Sequence, residues 1–447
     1  MPAVRNVQLA WTLILPTKQV TYTPLPLAGE GPGGEGPGEA GLRSVGGVLY
    51  PAPMPPTAHL RLSDLRGTSR LAIEATLGVT SLVETMHHNI ARVPGVLGAP
   101  TEKRTRGITG LVYRSIRGVT RLVGGGIDAA LRLLPSPGDP AAGASSAERE
   151  AVLAALNGVL GDHLAASANP LAIPMRLRRD GEPTGKILLL AHGLCLNDRQ
   201  WRRNGHDHGA ALAADAGFTP VYLHYNSGFH ISTNGRALAG LLEDLLRSWP
   251  VPVDELVILA HSMGGLVSRN ACHHAQAAGH GWPRHLRKIV FLGTPHHGSP
   301  LERGGNWVDF LLGASPYTAA LARLGKIRSA GITDLRHGNL LNESLERRDR
   351  FVRAPENSPP PAVPLPEGVQ CYAVAASIAT QPSVLKDRLL GDGLVPVSSA
   401  LGQHADPGRT LPIPESQQWI GYGMNHFDLL ERREVYERIC GWVTDTP

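Results

Sequence analysis

The sequence predicts an α/β fold, a mostly parallel central sheet with helices on both faces, in the C-terminal part of a 447-residue chain. Three observations carry this. Short apolar runs recur from Lys186 onward, in the form of strands buried on both faces. Helical stretches alternate with them, as in parallel sheets joined by crossover helices. One apolar run ends in a serine flanked by small residues, where strand gives way at once to helix.

The elements in order begin with a tail. Residues 1–57 contain "GEGPGGEGPGEAG" and "PAPMPP", a Gly/Pro/Glu tract with little to bury, which reads as disordered. Arg5 followed by "VQLAWTLIL" faintly resembles a signal peptide but lacks a small-x-small cleavage site.

Residues 58–178 read as a helical N-terminal region. In "GITGLVYRSIRGVTRLVGGGIDAALRLL", a step of about 100° per residue puts Ile108, Leu111, Val112, Ile116, Val119, Leu122 and Val123 on one side. Arg114, Arg117 and Arg121 fall opposite. Two readings are open: a helix packed on the next domain with a solvated basic face, or a membrane-surface helix whose arginines meet anionic headgroups. Gly124 to Gly126 argue against one unbroken helix.

Residues 179–447 form the expected catalytic domain. Its strands are "KILLLAHG", "PVYLHY", "ELVILAHS", "KIVFLGT" and "VQCYAVAA", with the weaker "QQWIGY" after them. Residues 299–368 interrupt the rhythm and read as a lid insertion plus a Pro-rich linker, "PENSPPPAVPLPEG".

Composition excludes some classes. No apolar run approaches the roughly 20 residues that span a bilayer. A net charge of +5 is too small and too dispersed for a nucleic-acid surface. The 4 cysteines, Cys195, Cys272, Cys371 and Cys440, lie far apart without a C-x-x-C pair. They suit isolated reduced thiols, and with them a cytoplasmic or peripheral-membrane location rather than a secreted one.

The strongest chemical signal is "ELVILAHSMGGLVSRN". A strand that turns sharply into a helix strains the backbone at Ser262, so small residues are needed two places either side. Ala260 and Gly264 meet that need. The turn lifts the hydroxyl off the sheet, and the helix N-terminus favours negative charge beside it. The adjacent His261 reads as a packed residue.

From Lys186 to Val443 the chain resembles the α/β-hydrolase superfamily, in its lipase/esterase branch. "DGLV" followed by "NHFD" is similar to bacterial true lipases, and "GTPHHG" to these and to the GPI inositol-deacylase-like serine esterases. The resemblance implies the α/β-hydrolase fold and a Ser-Asp-His order, which falls on Ser262, Asp392 and His426. It implies oxyanion donors at the backbone N–H groups of Leu194, after His-Gly, and Met263. Asp387, Asp406 and His404 are the rival acids and base, all in settings that read as solvated. His192 and the pair His296–His297 read as loop braces, and Cys195 as inert. In calcium-dependent relatives the aspartate at the Asp428 position holds a structural calcium. The insertion that would supply a second acid is much shorter here, so no metal is assigned and Asp428 reads as a loop anchor.

These residues imply a serine ester hydrolase working without a cofactor, and the apolar lid stretch "NWVDFLLGASPYTAALARL", suited to flank an acyl chain, points to hydrophobic or lipid esters. An acyltransferase or thioesterase would use the same triad. A membrane-surface adaptor keeping an inert hydrolase fold is the alternative of another class.

Overall fold

A computed structural model describes residues 44–45, 48–49, 61–90, 107–133, 146–298, 329–337, 340–341, 363–382 and 391–445. The chain divides into two units, Met1–Ala58 and His59–Pro447. In the first, strands β1 (Ser44–Val45) and β2 (Val48–Leu49) pair antiparallel. The rest of the tail lies outside the described residues, as do residues 299–328, 338–339 and 342–362 in the expected lid.

The second unit is built on one sheet. Its strands are β3 (Arg176–Arg179), β4 (Lys186–Ala191), β5 (Thr219–His224), β6 (Glu255–His261), β7 (Leu286–Leu292), β8 (Gln370–Ser377) and β9 (Gln418–Tyr422). Among the described residues they lie in the order β3-β5-β4-β6-β7-β8-β9. β3 is antiparallel to β5, and every other neighbouring pair is parallel. The sheet therefore starts at Arg176, ahead of the expected boundary at residue 179. "RLRR" carries charge at three of its positions because it is an edge strand, and such a strand shows no apolar run to find.

The helices are α1 (Leu62–Ile90), α2 (Gly107–Leu133), α3 (Ala147–Ala166), α4 (His208–Ala216), α5 (Ile231–Arg247), α6 (Met263–Ala278), α7 (Ala330–His337), α8 (Val397–Ala400) and α9 (Arg433–Thr444). Leu188–Leu190, Leu256–Ala260, Ile289–Leu292 and Ala373–Ala375 are fully buried, so the core follows the central strands. The buried Lys288 of β7 donates to the carbonyls of Trp442 and Val443 at 3.0 and 3.2 Å. It places a cation at the C-terminus of α9, where the helix dipole favours one. The strand order, the antiparallel edge strand and the turn after β6 match the α/β-hydrolase fold.

The N-terminal helices depart from expectation. α2 runs unbroken through Gly124–Gly126, and Gly124 lies so close to Ile73 of α1 that a Cβ would overlap its side chain. The apolar side of α2 does not face the sheet. Leu111, Val119 and Leu122 are 58%, 63% and 77% exposed. The inner side instead carries Arg117, buried and ion-paired with the buried Glu84 of α1. Asp128 joins Arg66 and Arg70 of α1. Arg117 is thus removed from the exposed basic face, while Arg114 and Arg121 remain on the surface. Ion pairs and glycine contacts, not the apolar stripe, join α1 to α2.

Candidate active site

Ser262 sits at the junction of β6 and α6 with φ 55° and ψ −126°. Left-handed φ is rare for a residue with a Cβ and persists only where the surroundings hold it. Its N–H donates to the Leu292 carbonyl of β7 at 2.8 Å. Gly264 is required by space: a Cβ there would lie 2.7 Å from the His192 carbonyl oxygen and closer still to that of Ala191. Ala260 is fully buried between β4 and β7. The elbow is therefore wedged between the ends of three strands.

Asp392 and His426 come from the loops after β8 and β9. Nδ1 of His426 donates to Oδ2 of Asp392 at 2.6 Å. Oδ1 of Asp392 accepts the N–H groups of Leu394 and Val395 at 2.9 and 2.8 Å, and its own carbonyl accepts the His426 N–H at 3.1 Å. Both side chains are almost wholly buried. Among the described residues, Nε2 of His426 has no hydrogen-bond partner. The imidazole is thereby fixed in one tautomer, with its basic nitrogen unused.

The His426 ring lies against the elbow's own neighbours. Its centroid is 4.6 Å from that of His261, whose Nε2 donates to the His426 carbonyl at 3.2 Å. Burial and the adjacent His426 hold His261 well below the usual histidine range, so it is neutral packing. On the other flank, Gly293 has φ 57°, and a Cβ there would stand 3.0 Å from two atoms of the His426 ring. His261 is packed, as its place in the elbow implies, and Gly293 is a further support that no motif in the sequence discloses. The glycine in "FLGT" was visible, but nothing local says that a distant histidine needs its space.

The loop after β4 faces the elbow across the switch point between β4 and β6, where ligands of open α/β sheets bind. A Cβ on Gly193 would lie 2.9 Å from the Cβ of Ser262. Among the described residues, the N–H groups of Leu194 and Met263 donate to no other group. His192 stacks on Tyr225 with centroids 4.3 Å apart, and its Nδ1 donates to the Gly193 carbonyl at 2.8 Å. Burial pulls it down to about 3, which suits a brace. The next residue but two, Cys195, has φ 59°, and burial pushes its thiol up to about 12.

Comparison with known proteins adds the following. A family model described as a domain of unknown function, DUF7379, matches residues 161–337, less than half of the chain. No curated protein matches. Among solved structures the chain is similar to the mature form of Bacillus licheniformis lipase BlEst2, at 16% identity and a TM-score of 0.40, over 60% of this chain and 98% of that one. It is similar to esterase RhEst1 from Rhodococcus sp. ECU1013 at 17% identity and a TM-score of 0.37, over 62% and 96%. A Pyrobaculum calidifontis esterase matches at 14% identity and a TM-score of 0.36, over 60% and 80%. Likeness at this level assigns no activity; the site's own geometry has to carry that.

The remaining candidates fall as follows. Asp406 is exposed and caps a short turn through the Gly408 N–H, and His404 accepts the Asp406 N–H, so neither approaches Ser262's partners. Asp387 lies outside the described residues. His296 takes a hydrogen bond from the buried Arg269 at 3.1 Å, and Nε2 of His297 donates to the Gly402 carbonyl at 3.0 Å. His296 thus ties the loop after β7 to α6, and His297 ties it to the α8 region that follows Asp392. Asp428 accepts the Asn425 N–H at 2.8 Å, so its carboxylate closes the turn that presents His426. Cys272 and Cys371 are buried free thiols, and Cys440 is a half-buried one.

Proposed function

We propose that the protein is a serine ester hydrolase acting on hydrophobic or lipid esters. The observation that carries this reading is the buried Asp392–His426 pair, with Nε2 unpartnered among the described residues, packed against both flanks of a strained serine elbow. In the proposed cycle Oγ of Ser262 attacks the ester carbonyl carbon while Nε2 of His426 takes its proton. Asp392 holds the imidazole and stabilises its cation. The N–H groups of Leu194 and Met263 receive the oxyanion. Collapse breaks the bond to the alcohol, which leaves with the proton from Nε2, and Ser262 carries the acyl group. Water repeats the sequence and releases the acid. No step calls for a cofactor.

A fluorophosphonate probe tests this. The expected result is one covalent adduct, located on Ser262 by peptide mass spectrometry, together with turnover of p-nitrophenyl esters that increases from acetyl to longer acyl chains. Absence of both adduct and turnover overturns the reading.

The exposed apolar face of α2 supports a second element, contact with a lipid surface. The face directed at the bilayer would be Leu111, Val119 and Leu122, not the arginines. Replacing Val119 and Leu122 with glutamine is expected to reduce co-sedimentation with anionic liposomes roughly tenfold, from the apolar area withdrawn. Unchanged co-sedimentation would remove this contact.

A further inference from the structure

The loop after β4 is held from three sides, and one of the three is not part of the sheet. At its start, Tyr225 donates its hydroxyl proton to the His192 carbonyl at 2.8 Å. At its end, Asp198 binds Arg178 of β3 and His224 of β5, each at 2.7 Å. Those partners hold Asp198 well below the usual carboxylate range against its burial. In the middle stands Cys195 in left-handed backbone conformation, an arrangement that a non-glycine residue keeps only under external constraint.

That constraint comes from α3. Gly158 of α3 lies directly on Cys195: a Cβ on it would be 3.0 Å from the Cys195 N and Cα and would overlap Sγ. One turn later Gly161 meets Asn226 in the same way, and Gly228 in return meets the backbone of Asn157 and Gly161. Asn226 donates through Nδ2 to the Gly161 carbonyl at 2.9 Å. The next residue, Ser227, accepts the Cys195 N–H on its Oγ at 3.1 Å. Helix, turn and loop thus interlock through glycine positions that have no room for a Cβ, against the backbone and Sγ of Cys195, the side chain of Asn226 and the backbone of Asn157 and Gly161. Leu156, Val159, Leu160 and Leu164 of the same helix are buried in the common core, which keeps the helix from moving away.

We propose that α3 is a positioning element of the oxyanion-binding loop. Contact of Gly158 with Cys195 fixes the left-handed turn that sets the Leu194 N–H beside Ser262. The catalytic unit then begins at the N-cap of α3, Ser146, and not at residue 179. The role in catalysis rests on the serine-hydrolase reading above; the mechanical role does not.

The test is Gly158→Ala in the full-length chain, read by steady-state kinetics on a p-nitrophenyl ester and by hydrogen exchange. The expected result is a fall in kcat of about 10- to 100-fold with little change in KM, since a displaced oxyanion donor acts on the transition state. Amides of residues 193–197 should exchange faster while those of β6 and β7 do not. Adding Cys195→Gly should return most of the lost kcat, because glycine adopts φ near +59° freely and removes Sγ. A folded Gly158→Ala with kcat within twofold of wild type and unchanged exchange overturns the proposal. Should that variant not fold, Ser227→Ala takes its place: a several-fold loss of kcat with faster exchange at Cys195 supports the brace, and neither change overturns it. Faster exchange in a protein whose wild type turns over no ester would refute the hydrolase reading and leave the brace standing.

Discussion

Ser262→Ala is expected to lower kcat for ester hydrolysis on the order of 10⁴- to 10⁶-fold, leaving the fold intact. The residue that remains would reflect only oxyanion donors and binding. Ser262→Gly should be equally inactive, but the two variants should differ in stability. Ser262 holds φ 55° and ψ −126°, a region nearly closed to residues with a Cβ. Such a conformation costs about 1–3 kcal/mol. Alanine keeps the Cβ and the strain, so its melting temperature should stay near that of wild type. Glycine relieves the strain and gives back roughly 0.5–1 kcal/mol in chain entropy. The net gain of about 1 kcal/mol should raise Tm by about 2–4 °C. Both variants are measured by calorimetry beside the kinetics. Retained turnover would dismiss Ser262 as nucleophile, and a lower Tm for the glycine variant would dismiss the strain.

How far the sequence discloses this site depends on the range of each interaction. The parallel strands were legible because burial on both faces leaves unbroken apolar runs, and Ser262 because an elbow imposes small residues at fixed near spacing. Asp392 and His426 were legible through chain order and their similarity to lipase loops; the 2.6 Å contact between them was not. Gly293 escaped because its purpose is to make room for a residue far along the chain, and His261 was legible as packing but not as a neighbour of His426. α2 was misread in orientation. An apolar stripe is read as the inward face by default, whereas its partner α1 offers Glu84, Arg66 and Arg70, which recruit the polar side instead. Cys195 and Gly158 were equally hidden. Neither residue is unusual alone, and their meaning lies in a contact between a helix before the sheet and a loop within it.

Asp392→Asn separates the geometry of the base from its chemistry. In the wild type Oδ1 accepts two N–H groups, from Leu394 and Val395, and Oδ2 accepts the proton on Nδ1 of His426. Asparagine fills the same volume with one acceptor and one donor group. Directing its NH₂ toward Leu394 and Val395 would oppose donors to donors, so the oxygen stays there and the NH₂ faces His426. Nδ1 must then accept, which moves the imidazole proton to Nε2. A protonated Nε2 on a neutral ring has no lone pair with which to take the serine proton. The expected outcome is a folded protein with kcat lowered on the order of 10⁴-fold and little change in KM. Circular dichroism and substrate titration check fold and binding, and NMR of the imidazole nitrogens reads the tautomer directly. Turnover within tenfold of wild type would show that Asp392 does not orient the base. Full loss of turnover with Nδ1 still protonated would place the defect elsewhere than in the tautomer.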